Sequence, residues 1–375
     1  MSDVGVRRQG ARFEFVDALR GLAALAVVLP HALGLLSFQR DSSLTSLFLR
    51  LAEYGRAGVE VFFVISGFAI AYSMRASGVD EDFSLGRFML RRAVRLDPPY
   101  WVGLLWMGLV EAFRAHATHQ PIALPSLGKV LAHLAYLQDI LGFGQFNAVF
   151  WTLCLEFQLY FVFAVLMRAA SAFGDPREGK SRVWRDSDKY GWLMVLAFLA
   201  SLLVSHTIWP MNVGWFVPFF YLFLSGSLAA WRVLDRISDR LFRICLVAMG
   251  LGLVARPELP RVIGFITALL LYVAIQRAAL HRWLATRAAQ WLGRISYSVY
   301  LIHVPLATLF LGLRTRVASD SKLLSLLCLA GLYLATLALG SLFHAAIEVP
   351  CLRLSQQLKR PHSFPGSSVY RAPPR

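Results

Sequence analysis

Phe15-Val16-Asp17-Ala18-Leu19-Arg20-Gly21-Leu22-Ala23-Ala24-Leu25-Ala26-Val27-Val28-Leu29-Pro30-His31 has no ionisable side chain between its arginine and its histidine. With the apolar residues that follow, it reads as a helix over residues 18–37, about the length that crosses a hydrocarbon core of ~30 Å. An imidazole buried there is costly unless it is hydrogen-bonded or reaches water, so His31 is a candidate functional residue. Arg20 and His31 are eleven positions apart. At about 100° per residue they share one helix face, about 16 Å apart along the axis, with Asp17 close to the same face.

The remainder of the chain repeats this apolar pattern. Only 16% of the 375 residues are charged, 57% are hydrophobic, and the mean hydropathy is +0.56. Soluble domains average about 25% charged. Further apolar blocks fall at 58–75, 98–115, 150–170, 190–207, 214–231, 241–255, 259–277, 296–313 and 323–345. With 18–37 they predict an all-α polytopic transmembrane helical bundle of about ten spans. Most of the Lys and Arg fall in segments facing the same side as the N-terminus, which places both termini in the cytoplasm. No secretory signal peptide is expected, because the first block is long and no small-residue cleavage site follows it. Residues 356–375 are Pro-, Ser- and Arg-rich and are expected to form a disordered cytoplasmic tail.

The net charge of +16 does not require a nucleic acid; it is topogenic and meets anionic lipid head groups. The four cysteines show neither pairing nor metal-ligand spacing and read as small apolar residues. No metal site is expected. His344 and Glu348 are four apart on the last block, with no third ligand at a suitable spacing.

Several polar residues lie within or beside the apolar blocks. Glu60 opens the second and Glu156 occupies the fourth; each needs a partner from another helix. Arg87, Arg91 and Arg95 share a face at i, i+4 and i+8, with Arg92 beside them, before Pro98-Pro99. Such fork donors suit phosphate and diphosphate. His303 lies in the ninth block. Trp209, Trp215 and Tyr221 could stack on sugar rings or form an interfacial belt.

Six blocks in order resemble the membrane acyltransferase-3 family, over about residues 13–350. They are Asp17–Gly21 with His31 (R-x10-H), Gly58–Phe68 (GVEVFFVISGF), Arg91–Pro98 (RRAVRLDP), Trp151–Tyr160 (WTLCLEFQLY), Gly293–Pro305 (GRISYSVYLIHVP) and Glu348–Pro350. Asp97 departs from the aromatic common at its position and puts an acid beside the arginines. The resemblance implies a membrane acyltransferase domain over residues 1–355, in a bacterial inner (cytoplasmic) membrane. It implies transfer of an acyl group, usually acetyl, from cytoplasmic acyl-CoA to a hydroxyl of a glycan or glycolipid. On that reading His31 is the general base or a transient acyl carrier, supported by Glu156 and Glu60. Arg20, Arg87, Arg91, Arg92 and Arg95 would hold acetyl-CoA or another acyl-CoA. Asp17, Trp151, Tyr160, His303 and Glu348 would contact substrate. The rival classes are a proton-coupled transporter, which needs neither the arginine cluster nor the R-x10-H stripe, and a flippase-like component of polysaccharide export, in which His31→Ala would be silent.

Overall fold

The computed structural model describes residues 13–35, 49–50, 52–75, 84–122, 124–172, 187–207, 214–317 and 321–358. Among these residues every regular element is helical. The first five helices are α1 (Glu14–His31), α2 (Gly58–Arg75), α3 (Leu85–Ala117), α4 (Leu127–Leu134) and α5 (Trp151–Ala172). They are followed by α6 (Ser187–Thr207), α7 (Phe220–Val233), α8 (Asp239–Ala255) and α9 (Leu259–Gln276). The last three are α10 (Arg287–Arg316), α11 (Lys322–Phe343) and α12 (Val349–Gln357). Five stretches are long and apolar enough to cross a membrane: Tyr54–Met74, Trp151–Ala169, Leu259–Gln276, Arg287–Arg316 and Lys322–Gln357. Residues 1–12, Trp209 and the tail from 359 lie outside the described residues.

Local chemistry explains the helix starts. Ser84, Ser126, Thr286 and Ser321 each accept, on the side-chain oxygen, the N–H of the residue three positions on. These N-caps open α3, α4, α10 and α11 and satisfy donors that the first turn leaves unpaired. Glu14 and Asp17 lie in the first turn of α1, where the helix dipole favours negative charge.

The block expected at 98–115 is part of a longer helix. Pro98 and Pro99 lie inside α3 and do not end it. Proline in a helix interior leaves an unpaired carbonyl in the preceding turn. Pro98 and Pro99 free the carbonyls of Val94 and Arg95, and one residue further on Tyr297 Oη of α10 donates to the Leu96 carbonyl at 3.0 Å and ties this part of α3 to α10. The arginine cluster therefore sits on continuous helix.

Glycine sets two helix crossings. α1 runs along α10, and α2 along α7. A Cβ on Gly293 would lie 2.3 Å from the Asp17 carbonyl oxygen. A Cβ on Gly226 would lie 1.8 Å from the Val64 oxygen, and one on Gly67 1.8 Å from the Phe223 oxygen. Small residues allow this backbone approach between membrane helices. Gly226→Leu is expected to force α2 and α7 apart and to abolish the monodisperse peak in fluorescence-detected size-exclusion chromatography. A wild-type elution profile would show that the crossing is loose enough to admit a leucine side chain.

Candidate active site

Seven helical elements surround a cavity of about 630 Å³. Asp17 and Arg20 of α1, Ser66 of α2, and Arg92 and Arg95 of α3 line it. Glu156 and Tyr160 of α5 and Arg294, Tyr297 and Tyr300 of α10 complete most of the wall. His344 and Glu348, between α11 and α12, close it. Arginines and carboxylates thus converge on one volume from distant parts of the chain. Such convergence inside an apolar bundle marks a functional site rather than a core.

Several of the charged groups are held in place by neighbouring side chains and carbonyls. Arg20 donates to Asp17 Oδ1 at 2.6 Å and to the Gly293 carbonyl from Nε and Nη2 at 3.3 and 3.2 Å. The close crossing at Gly293 brings that carbonyl within reach. Arg92 donates to Ser73 Oγ at 2.8 Å, and its guanidinium stands 5.6 Å from the Phe88 ring and 5.7 Å from the Tyr160 ring. Glu156 Oε1 accepts from Ser66 Oγ at 3.0 Å and from Tyr160 Oη. Four side chains from three helices therefore form one arginine–aromatic–carboxylate wall.

The closing wall depends on a helical irregularity. Residues His344–Glu348 form a π turn between α11 and α12. Widening a helix by one residue re-aims side chains, and such turns often occur at functional sites. Here Glu348 Oε2 accepts from His344 Nδ1 at 2.9 Å and from Ser298 Oγ at 2.8 Å.

His31 is two ring contacts from the cavity. Tyr300, on the lining, stands 5.7 Å from His303, and His303 stands 5.1 Å edge-on to His31. His31 Nδ1 donates to the Val27 carbonyl at 2.8 Å, and His303 Nδ1 donates to the Tyr300 carbonyl at 2.8 Å. A carbonyl only accepts, so Nδ1 carries the proton and each neutral ring keeps its lone pair on Nε2. His303 is wholly buried, and its Nε2 has no hydrogen-bond partner. Pro30 lies in the last turn of α1 just before His31, and a 3₁₀ turn, Leu33–Leu35, follows.

Of the residues expected at the site, Asp17, Arg20, Arg92, Arg95, Glu156, Tyr160 and Glu348 line the cavity. Arg87, Arg91, Trp151, His303 and Glu60 do not. α3 presents Arg92, Arg95 and Leu96 to the cavity, so the i, i+4, i+8 arginine face contributes only Arg95. Arg91 lies where α12 packs, its carbonyl accepting from Ser355 Oγ at 2.9 Å. Glu60 is buried towards α7 and α9, near Gly264, and its Oε2 has no partner. Trp151 packs on Phe219. Arg294, Tyr297, Tyr300, Ser66, Thr152 and His344 were not expected at the site but line it. For α10 a signal was present, since Gly293, Ser296, Tyr297 and Tyr300 fall at i, i+3, i+4 and i+7, one helix face.

A helical bundle with this hydropathy and a charged internal cavity defines the class as a membrane-embedded protein with a polar site among its helices. The family model described as an acyltransferase domain (Acyl_transf_3) matches residues 13–345, and the chain belongs to this acyltransferase family. It is 25% identical over 393 residues to "Acyltransferase MdmB" of Streptomyces mycarofaciens, covering 96% of this chain and 97% of that protein. It is 27% identical over 332 residues to "Putative membrane-bound transacylase BcsY" of Komagataeibacter xylinus, covering 77% of this chain and 72% of that protein. No solved structure matches. The protein is a multi-pass membrane acyltransferase.

Proposed function

We propose that this acyltransferase takes an acyl group, typically acetyl, from cytoplasmic acyl-CoA and esterifies a hydroxyl of a glycan or glycolipid. In this reading the ten apolar blocks are ten spans of a bacterial inner membrane, and both termini are cytoplasmic. The observation that carries it is the meeting of Arg20, Arg92, Arg95 and Arg294 on one cavity close to the first turns of α1. Guanidinium forks match the diphosphate and phosphate of coenzyme A in charge and geometry. A cavity of 630 Å³ falls in the range of small-molecule sites.

Coenzyme A supplies the acyl group already activated as a thioester. The protein must then take the acceptor's proton. His31 Nε2 keeps its lone pair because Val27 holds the proton on Nδ1. It accepts the hydroxyl proton as the ester C–O bond forms and the C–S bond breaks, and the imidazolium then gives that proton to the leaving thiolate, restoring neutral His31. The Glu156–Tyr160–Ser66 contacts hold Arg92's wall in place.

The test uses purified protein with radiolabelled acetyl-CoA and membranes of the source organism lacking its own copy. Hydroxylamine-labile label in the membrane fraction is expected, together with a rise in thermal midpoint on adding acetyl-CoA, since a ligand that binds only the folded state stabilises it. A well-folded sample showing neither at millimolar acetyl-CoA would overturn the reading and favour transport.

A further inference from the structure

A second polar layer lies outside the cavity, between α4 and α5. Gln138 and Tyr100 are wholly buried, and Asn147 is 2% exposed. Neither side-chain heteroatom of Gln138 has a hydrogen-bond partner, nor does Tyr100 Oη or Asn147 Nδ2. Asp139 Oδ2 and Gln145 Oε1 are also buried and unpartnered. Buried polar groups are normally satisfied, so six such atoms on five neighbouring residues call for an explanation. Apolar side chains of similar shape would be less costly at these positions.

Local bonds and ring contacts fix these residues in the turns and on α3. Gln145 Nε2 donates to Asp139 Oδ1, the Phe143 N–H donates to the Gln138 carbonyl at 2.8 Å, and Asn147 Oδ1 accepts from the Val149 N–H at 3.2 Å. Tyr100 stacks on Tyr136 at 4.7 Å and meets the Phe150 ring at 5.0 Å. Two bonds tie the layer to the cavity wall. Tyr136 Oη donates to Asp97, next to the lining residue Leu96, at 3.0 Å, and Tyr300 Oη donates to the Val149 carbonyl at 2.9 Å.

The chemistry of the set narrows the ligand. Amides donate and accept, a phenol does both, and a carboxylate accepts. This suits vicinal hydroxyls, and Asp139 disfavours a phosphate. Burial pushes the Asp139 carboxyl above the usual carboxylate range. The Tyr100–Tyr136 stack offers an apolar platform beside the polar atoms. We propose that Tyr100, Gln138, Asp139, Gln145 and Asn147 form the docking subsite for a sugar ring of the acceptor. The proposal rests on the acyl-transfer reading. All but Tyr100 sit in turns and irregular backbone, so admitting a ring rearranges turns and leaves the helices in place.

The experiment compares the full-length wild type with Gln138→Leu, Asn147→Leu and Tyr100→Phe in the labelling assay with host membranes. Label incorporation at limiting membrane concentration is expected to fall at least tenfold in each variant. Acetyl-CoA affinity should stay within twofold, and the thermal midpoint should hold or rise in Gln138→Leu and Tyr100→Phe, which remove only unpaired buried polar atoms, whereas Asn147→Leu also loses the bond from the Val149 N–H and should lower it. Tyr100→Phe removes only a hydroxyl that bonds nothing in the fold, so it remains informative if either leucine variant fails to fold. Incorporation within twofold of wild type would show that these atoms serve ordered water alone and would overturn the subsite. A parallel fall in acetyl-CoA affinity would also overturn it, by assigning the layer to the donor. Absence of label with the wild-type protein overturns the acyl-transfer reading itself, and the subsite with it.

Discussion

His31→Ala is expected to lower acyl transfer by about 10²–10⁴-fold, the usual contribution of a positioned general base, while acetyl-CoA binding stays within twofold. The separation follows from geometry. His31 is not among the residues that line the arginine-lined cavity, and its ring contacts reach that wall through His303 and Tyr300. Its loss therefore removes a proton acceptor and leaves the donor's anchors intact. His31→Gln should be equally inactive, because an amide is too weak a base even where it fits. If His31→Ala keeps more than half of wild-type turnover, the base lies elsewhere. Two mechanisms share this loss and differ in kinetics. An acyl group carried on His31 Nε2 gives ping-pong behaviour and acceptor-free release of coenzyme A, whereas direct transfer releases coenzyme A only when an acceptor is present.

Composition and hydropathy made the all-helical bundle legible. Each apolar block overlaps a helix among the described residues, because a 20-residue apolar run in lipid must satisfy its backbone internally. Helix rotation was less legible. The spacing of Arg87, Arg91 and Arg95 marks a face, but which face turns inward depends on the partner helix. Here Tyr297 at Leu96 and the Ser66–Glu156–Tyr160 wall draw Arg92 inward. Glu60 illustrates the same limit. Its place at the start of α2 was visible in sequence, whereas the close α2–α7 crossing that turns it from the cavity is set by glycines far apart in the chain. The π turn at His344–Glu348 had no sequence signal, since an i, i+4 pair also fits an ordinary helix. The fit of His303 against His31 needed the α1–α10 packing, which two glycines on different helices make possible.

Arg95→Gln is expected to raise the dissociation constant for acetyl-CoA by about 10–100-fold, and Arg87→Gln to change it less than twofold. A hydrogen bond to a charged group contributes about 1.5–3 kcal/mol, and about 1.4 kcal/mol corresponds to tenfold in affinity. Arg95 lines the cavity and Arg87 does not, although sequence spacing puts them on one face. The pair therefore tests the rotation of α3 directly, by isothermal titration or thermal shift. Arg92 is a harder probe, because it also bonds Ser73 and stacks on Phe88 and Tyr160, so Arg92→Gln should cost stability as well as affinity. Arg92→Lys separates the two effects: it keeps the charge but loses the planar fork, and so should bind a diphosphate more weakly while folding better than Arg92→Gln. Raising the salt concentration should weaken donor binding in the wild type and have a smaller effect in Arg95→Gln, which has one fewer cation to screen. Equal losses in Arg87→Gln and Arg95→Gln would mean that the whole basic face meets the donor and that α3 is turned differently. An unchanged dissociation constant in Arg95→Gln would remove the cavity from donor binding altogether.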